Sequence, residues 1–451
     1  MSERTPDIAS GRLTPEEYAA NFSDLHPPLD GHQAFVEADR CYFCYDAPCI
    51  EACPTGIDIP NFIRKIQTGN LKGSTVTILE QNIFGGACAR VCPTEVLCER
   101  ACVRNLGEDK PVAIGLLQRY ATDWLFDRHI QPFARAPRSG KRVAVVGGGP
   151  AGLACAHRLA MLGHDVAVFE ARPKLGGLNE YGIAAYKVSQ DFAQREVNFI
   201  LSIGGIEPRT GVTLGRDVSL TQLRRDFGAV FLGLGLAGVN ALQAEGEGLS
   251  GVIDAVTYIA ELRQTKDKSR LSVGRRVVVI GGGNTAIDIA VQTKRLGAED
   301  VTIVYRRGPG QMGATHHEQE FAQVNGVKIK HWARPARAVG ANGHVAEVEF
   351  EYTGLDASGR LVGTKSGFTL PADQLFKAIG QTFVADPVAG DAVQPLEVRN
   401  GRILVDEARA TSLPGVYAGG DCVAGVDLTV TAVEDGKIAA HSIDKYLHGL
   451  A

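Results

Sequence analysis

The sequence predicts an α/β protein: a helical N-terminal segment, then two Rossmann-like doubly wound units, the second inserted in the first. Three observations predict it. Eight of the ten cysteines fall between positions 41 and 102, among segments with helical spacing. Two strand–glycine–helix units recur downstream, at 142–152 and 276–286. A third strand runs into a glycine turn at Gly415–Asp421, with a helix expected from about Thr429. Strands that alternate with helices belong in parallel sheets.

A chain of 451 residues is too long for one ordinary core, so two or three domains are expected. Charged residues make up 22% and apolar residues 45%, as in a globular protein. The formal net charge of −4 points to neither nucleic acid nor an anionic membrane as partner. No apolar run approaches the ~20 residues of a membrane span. Residues 1–12 carry no secretory pattern, so a cytoplasmic protein is expected. Cytosolic thiols stay reduced, which disfavours disulfides among the cysteines.

In the first segment, 60–66, 76–81 and 114–126 show apolar spacing near 3.6. A Pro- and Arg-rich linker follows at 131–141, with no apolar period. The expected domains are 1–138 for the cysteine-bearing helices, 139–265 with 375–451 for the first dinucleotide fold, and 266–374 for the inserted one.

In the first glycine loop, Gly147 permits the tight turn, Gly149 lets the backbone approach a pyrophosphate, and Gly152 lets the helix lie close on the strand. Ala151 sits within the loop's helix start. The next strand ends in Glu170, an acid placed to accept ribose hydroxyls. Gly177 and Leu178 follow it as candidate contacts. Asp421, after Gly420, is placed for ribitol hydroxyls, and the helix from Thr429 directs its amides at a flavin ring or phosphate. The second loop uses Gly281, Gly283, Asn284, Thr285 and Ala286. Its second strand ends in Arg306 and Arg307, which suit a 2′-phosphate and favour NADP; the alternative is a solvated pair. One resident and one exchanging nucleotide imply hydride transfer from NADH or NADPH to FAD.

The cysteines form two runs, Cys41, Cys44, Cys49, Cys53 and Cys88, Cys92, Cys98, Cys102. Only Cys41 and Cys44 make a CxxC pair, whereas zinc knuckles use two. Irregular spacing suits iron–sulfur clusters, whose ligands converge from distant segments, and a nearby flavin gives such clusters redox work. Structural zinc remains the alternative. Cys155 is expected as a small core residue, Cys422 near the flavin, and His316 and His317 as polar surface residues.

The runs at 41–55, 86–94 and 429–437 make the chain resemble the N-terminal half of dihydropyrimidine dehydrogenase and its separate bacterial subunit, and also the small subunit of glutamate synthase. The resemblance covers nearly the whole chain. It implies two 4Fe–4S clusters whose ligands are shared between the runs. One takes Cys41, Cys44, Cys49 and Cys102. The other takes Cys53, Cys92, Cys98 and Gln118, which leaves Cys88 spare. It also implies an electron-input subunit of a hetero-oligomer, such as a heterotetramer, feeding an FMN- and Fe–S-containing catalytic subunit that reduces uracil or thymine. No further cysteine run and no barrel-sized segment occur before Ala451, so this chain is not expected to reduce a pyrimidine by itself, and no catalytic acid is assigned to it. Family likeness leans to NADH, against the arginine pair. The glutamate synthase small subunit is the nearest rival and a zinc-structured scaffold the distant one.

Overall fold

The computed structural model describes residues 7–389 and 395–450. The chain divides into two compact units. One comprises 7–25, 181–189 and 239–382; the other comprises 26–180, 190–238 and the described part of 383–450.

The larger unit holds the cysteine-bearing helices and the first dinucleotide fold together. Helix Ile59–Gln67 is capped by Asp58, whose side chain accepts from the Asn61 N–H. It buries Ile59, Phe62, Ile63 and Ile66, one face at helical spacing. Each such side chain contributes about 1.5–3 kcal/mol on burial. Helix Leu71–Gln81 buries Ile78 and Leu79 and also three polar residues, Ser74, Thr75 and Thr77, each of which finds a partner. The Ser74 hydroxyl donates to the Phe62 carbonyl at 2.8 Å, and Thr75 donates to Ala121 at 2.7 Å. Helix Ile114–Asp127 turns Leu117, Ala121 and Leu125 into the same core.

The five-stranded sheet of this unit runs Val416–Ala418, Ala229–Leu232, Arg142–Val146, Asp165–Glu170, Ile206–Thr210, all parallel. The central strand is buried from Val143 to Val146, the near-continuous apolar run of a sheet covered on both faces. Its helix, Pro150–Met161, packs against the C-terminal helix Thr429–Leu447.

The smaller unit repeats the plan. Its parallel sheet runs Lys328–His331, Asp300–Tyr305, Arg276–Ile280, Gln374–Lys377, Val252–Asp254. A three-stranded antiparallel sheet, Ala333–Ala341, His344–Leu355 and Leu361–Pro371, covers one side through Val348 and Phe350. The sheet extends past the bounds expected for the insertion: Val252–Asp254 and Gln374–Lys377 are both its strands. Residues 7–25 also join this unit, where Ile8–Ala9 pairs with Val273–Gly274. These pairings are non-local, and no local pattern in 1–138 announces them.

Segment 181–189 joins the smaller unit through a buried ion triad. Lys187 Nζ lies 2.8 Å from Asp288 and 2.6 Å from Glu318. Burial disfavours the Lys187 ammonium, but the two carboxylates outweigh it and raise its pKa.

Candidate cluster and dinucleotide sites

The cysteines of the two runs interleave. Cys41, Cys44, Cys49 and Cys102 line one cavity, walled by Tyr42, Pro48, Ile59, Ile63 and Arg104. The turn Pro48–Glu51 presents Cys49, and Cys102 caps the turn Val103–Leu106. Burial, with Cys41 and Cys102 close by, pushes the Cys49 thiol up to about 12. A four-iron core relieves that cost, because coordination holds the sulfurs as thiolates. The four thiols converge on one cavity from distant segments, a donor set that fits a 4Fe–4S cluster.

Cys53 and Cys98 interact with Cys92, whose thiol is raised by its hydrogen bond with Cys88, which favours the protonated form, and by burial. Cys88 is itself buried on helix Gly85–Val91, one turn before Cys92. Proximity thus groups Cys53, Cys92 and Cys98 with Cys88. Gln118 is buried on helix Ile114–Asp127, and its Nε2 donates to the Gly85 carbonyl at 2.7 Å. That bond orients the amide, and among the described residues its Oε1 accepts nothing.

In the first glycine loop, Gly147 has φ +101° and a Cβ there would lie 2.1 Å from the Gly233 carbonyl oxygen. A Cβ on Gly152 would lie 1.9 Å from the Gly147 oxygen, so helix and strand meet with no space for a methyl. Glu170 accepts the Gly148 N–H on Oε2 and the Arg172 N–H on Oε1, both at 2.8 Å. The acid is thereby held at the loop with lone pairs to spare for ribose. Gly176 donates to the Gly148 carbonyl at 2.7 Å, which brings Gly177 against Gly149 and Pro150, while Leu178 beside it is exposed and Ala151 lies close to Gly420. Thr429 Oγ1 donates to Asn179 Oδ1 at 2.9 Å, placing the start of the C-terminal helix beside this turn.

Asp421 has its carboxyl raised to about 6, by burial first and by Asp427 second, against Arg402. Its neighbour Gly420 donates to Asp435 Oδ2 at 2.8 Å, and Arg409 holds the other Asp435 oxygen at 2.7 Å. Asp435 and Asn179 carry this geometry without having been singled out in the sequence. An acid inside a helical run reads as a solvated face until the turn it faces is known. Cys422 is buried in the sheet core, where its thiol donates to the Leu232 and Gly419 carbonyls at 3.4 and 3.3 Å. Cys155 is likewise fully buried.

In the second loop Gly281 has φ +148°, and Ala286, fully buried, stands where the first loop has Gly152. Asn284 and Thr285 open the helix Asn284–Arg295. Arg306 and Arg307 are exposed at the end of strand Asp300–Tyr305. Their carbonyls accept from Thr353 and Trp332, while among the described residues neither guanidinium has a partner. His316 and His317 are exposed at the start of helix His316–Val324.

The helices Pro150–Met161, Asn284–Arg295 and Thr429–Leu447 share one feature: none has a side-chain cap. Six other helices are capped, by Thr14, Asp30, Asp58, Asn70, Ser219 and Thr315. Pro48–Glu51, Gly85–Val91, Ile114–Asp127, Phe192–Leu201 and Ala255–Gln264 also lack a side-chain cap, so the glycine loops, not the missing caps, set the three apart. First-turn N–H groups left free at a glycine loop are donors for phosphate or a flavin oxygen.

Residues 18–130 match the family model described as dihydropyrimidine dehydrogenase domain II, 4Fe–4S cluster, and residues 141–436 match that of pyridine nucleotide-disulphide oxidoreductase. The chain is 36% identical to the NAD-dependent dihydropyrimidine dehydrogenase subunit PreT of Salmonella typhimurium, over 94% of this chain and 97% of that one. It is 35% identical to the NADPH glutamate synthase small chain of Escherichia coli, over 94% of each. Among solved structures, FprA of Mycobacterium tuberculosis in complex with NADPH shares the fold at TM-score 0.57 and 20% identity, over 70% of this chain and 85% of FprA. Thioredoxin reductase of T. acidophilum does so at 0.53 and 21%, over 69% of this chain and all of that one. The chain belongs to the pyridine nucleotide-disulphide oxidoreductase family, in the group that joins this fold to an N-terminal 4Fe–4S domain, and is an NAD(P)H-dependent oxidoreductase of FAD and 4Fe–4S clusters.

Proposed function

We propose that the chain is the electron-input subunit of a cytoplasmic dihydropyrimidine dehydrogenase, passing electrons from NAD(P)H to an FMN- and Fe–S-containing partner that reduces uracil or thymine. The chemistry FAD would supply when bound is to accept one hydride, that is two electrons, from NAD(P)H and pass the electrons on one at a time. One observation supports the conduit above the others: the cysteine-bearing helices are tied directly to the flavin-binding fold within one compact unit. Glu196 of helix Phe192–Leu201 accepts the Gly86 and Ala87 N–H groups at 2.9 and 3.0 Å. Lys437 of the C-terminal helix donates to the Thr55 carbonyl at 3.2 Å.

Those ties fall on the Cys53, Cys92, Cys98 side, which we assign, with Gln118, to the cluster nearer the flavin. Cys41, Cys44, Cys49 and Cys102 then hold the cluster from which electrons leave. There Tyr42 and Arg104 wall the cavity, and Tyr45 and Leu106 are exposed. Glu170, Asp421, Gly147, Gly149, Gly152 and Thr429 hold FAD in this reading. Gly281, Gly283 and Ala286 hold the nicotinamide coenzyme. Arg306 and Arg307 are available to a 2′-phosphate.

Co-purification tests the reading. A partner containing FMN, with NAD(P)H oxidation that depends on uracil, is the expected result. A large glutaminase-bearing partner with dependence on 2-oxoglutarate would establish the second reading, a glutamate synthase small subunit, which the 35% identity over 94% of both chains supports. Replacing Arg306 by Ala should raise KM for NADPH about tenfold or more and leave KM for NADH in place, as expected for a lost charge-assisted phosphate contact. Equal effects on both coenzymes would remove the pair from the 2′ position.

A further inference from the structure

Thr55 lies two residues after Cys53 and is buried. Its Oγ1 is 3.4 Å from Cys53 Sγ, and among the described residues the hydroxyl has no other partner. A thiolate that ligates iron has no proton to give, so in the loaded protein the hydroxyl is the donor and the sulfur the acceptor. The backbone of the same residue is fixed from the other side. Lys437 Nζ donates to the Thr55 carbonyl at 3.2 Å and to Gln81 Oε1 at 3.1 Å, and it pairs with Glu434 at 2.7 Å. The Lys437 charge is thus matched by Glu434, and its contribution here is to position Thr55.

We propose that Thr55 is a positioning residue for the Cys53 cluster, whose O–H···S hydrogen bond raises that cluster's reduction potential. The inference rests on the proposed ligation of a cluster by Cys53. Reduction by one electron adds negative charge to the cluster and its ligand sulfurs. A hydrogen bond to such a sulfur is stronger in the reduced state and favours it. Burial enlarges the effect, because no water competes for the hydroxyl or screens the sulfur. The helix that carries Lys437 begins at Thr429, beside the expected flavin site. The same contact therefore fixes the cluster ligand to the helix facing the electron donor.

The test uses the full-length protein loaded with FAD and clusters, in the variants Thr55→Val and Thr55→Ser. Valine keeps the shape and removes the donor; serine keeps the donor. Redox titration followed by electron paramagnetic resonance reads the two cluster midpoints separately, and iron per chain and the rate of flavin bleaching by NAD(P)H are measured alongside. In Thr55→Val, one midpoint should fall and the other stay, with iron content and flavin bleaching unchanged. A tenfold drop in the reduced-to-oxidised ratio at fixed potential corresponds to about 59 mV for one electron. Thr55→Ser should stay near the parent. Unchanged midpoints in the valine variant would overturn the proposal. So would equal shifts in both variants, or cluster loss in the valine variant, which would make Thr55 a packing or assembly residue. Absence of iron from the parent protein would instead overturn the ligand assignment on which the inference stands.

Discussion

Glu196 is fully buried, and its two oxygens have unequal surroundings. Oε1 accepts two backbone N–H groups, while among the described residues Oε2 has no partner. Burial pushes the carboxyl up to about 8, against the Ala87 N–H, Arg90 and the Gly86 N–H. An acid whose folded pKa exceeds its unfolded value near 4.3 stabilises the fold fully below that value and loses the contribution as pH rises through about 8. Glu196→Gln keeps an acceptor for both N–H groups and cannot ionise. Thermal scans should therefore show the variant gaining stability relative to the parent between pH 5 and 9, by at most a few kcal/mol. A difference that does not vary with pH would place Glu196 among ordinary carboxylates. Gln118 is the second residue-scale test. With Gln118→Ala, one of the two cluster signatures should change, or iron per flavin should fall, while Cys88→Ala should preserve iron content. Unchanged iron and spectra in Gln118→Ala would return it to being a packed helix residue, with Cys88 the better candidate for the fourth ligand.

The elements that hold nucleotides are built alike but not with equal tolerance. The first loop has no space at Gly152, whereas the second accepts Ala286 at the equivalent place. Gly152→Ala should thus push helix Pro150–Met161 off its strand, at a cost of about 1–3 kcal/mol. The flavin-to-protein ratio from absorbance should fall several-fold, and full occupancy would show that the loop can yield. Segment 181–189 depends on the Lys187–Asp288–Glu318 triad. Removing the cation leaves two buried carboxylates facing each other without compensation. Lys187→Met should therefore destabilise the smaller unit by about 3–5 kcal/mol. Denaturant unfolding followed by near-UV signal reads this, and a loss under about 1 kcal/mol would mean the triad is relieved by solvent.

For the molecule as a whole, the two dinucleotide folds and the cysteine-bearing helices make an NAD(P)H-dependent carrier of electrons, for which we propose another protein as acceptor. The loaded chain alone should oxidise NAD(P)H with ferricyanide as acceptor and show no oxidation dependent on uracil. Uracil reduction by the isolated chain would refute the need for a partner. Among the described residues no helix is long and apolar enough to cross a membrane.

Much of this was legible in the chain itself. The glycine loops, the buried strands at 142–146 and 276–280 and the helix 114–127 are local patterns, because turn geometry and apolar periodicity act over a few residues. The irregular cysteine spacing pointed to clusters, and likeness to a family supplied the sharing of ligands between the runs. Contacts between distant residues were not legible. Ile8–Ala9 pairs with Val273–Gly274, Val252–Asp254 joins the inserted sheet, Asp435 meets Gly420, and Thr55 lies between Cys53 and Lys437. An Asp in a helix or a Thr after a Cys-Pro pair has no distinctive local signature. Only packing decides whether it faces water or becomes the single partner of a buried atom, since burial is what makes an unpaired polar group costly.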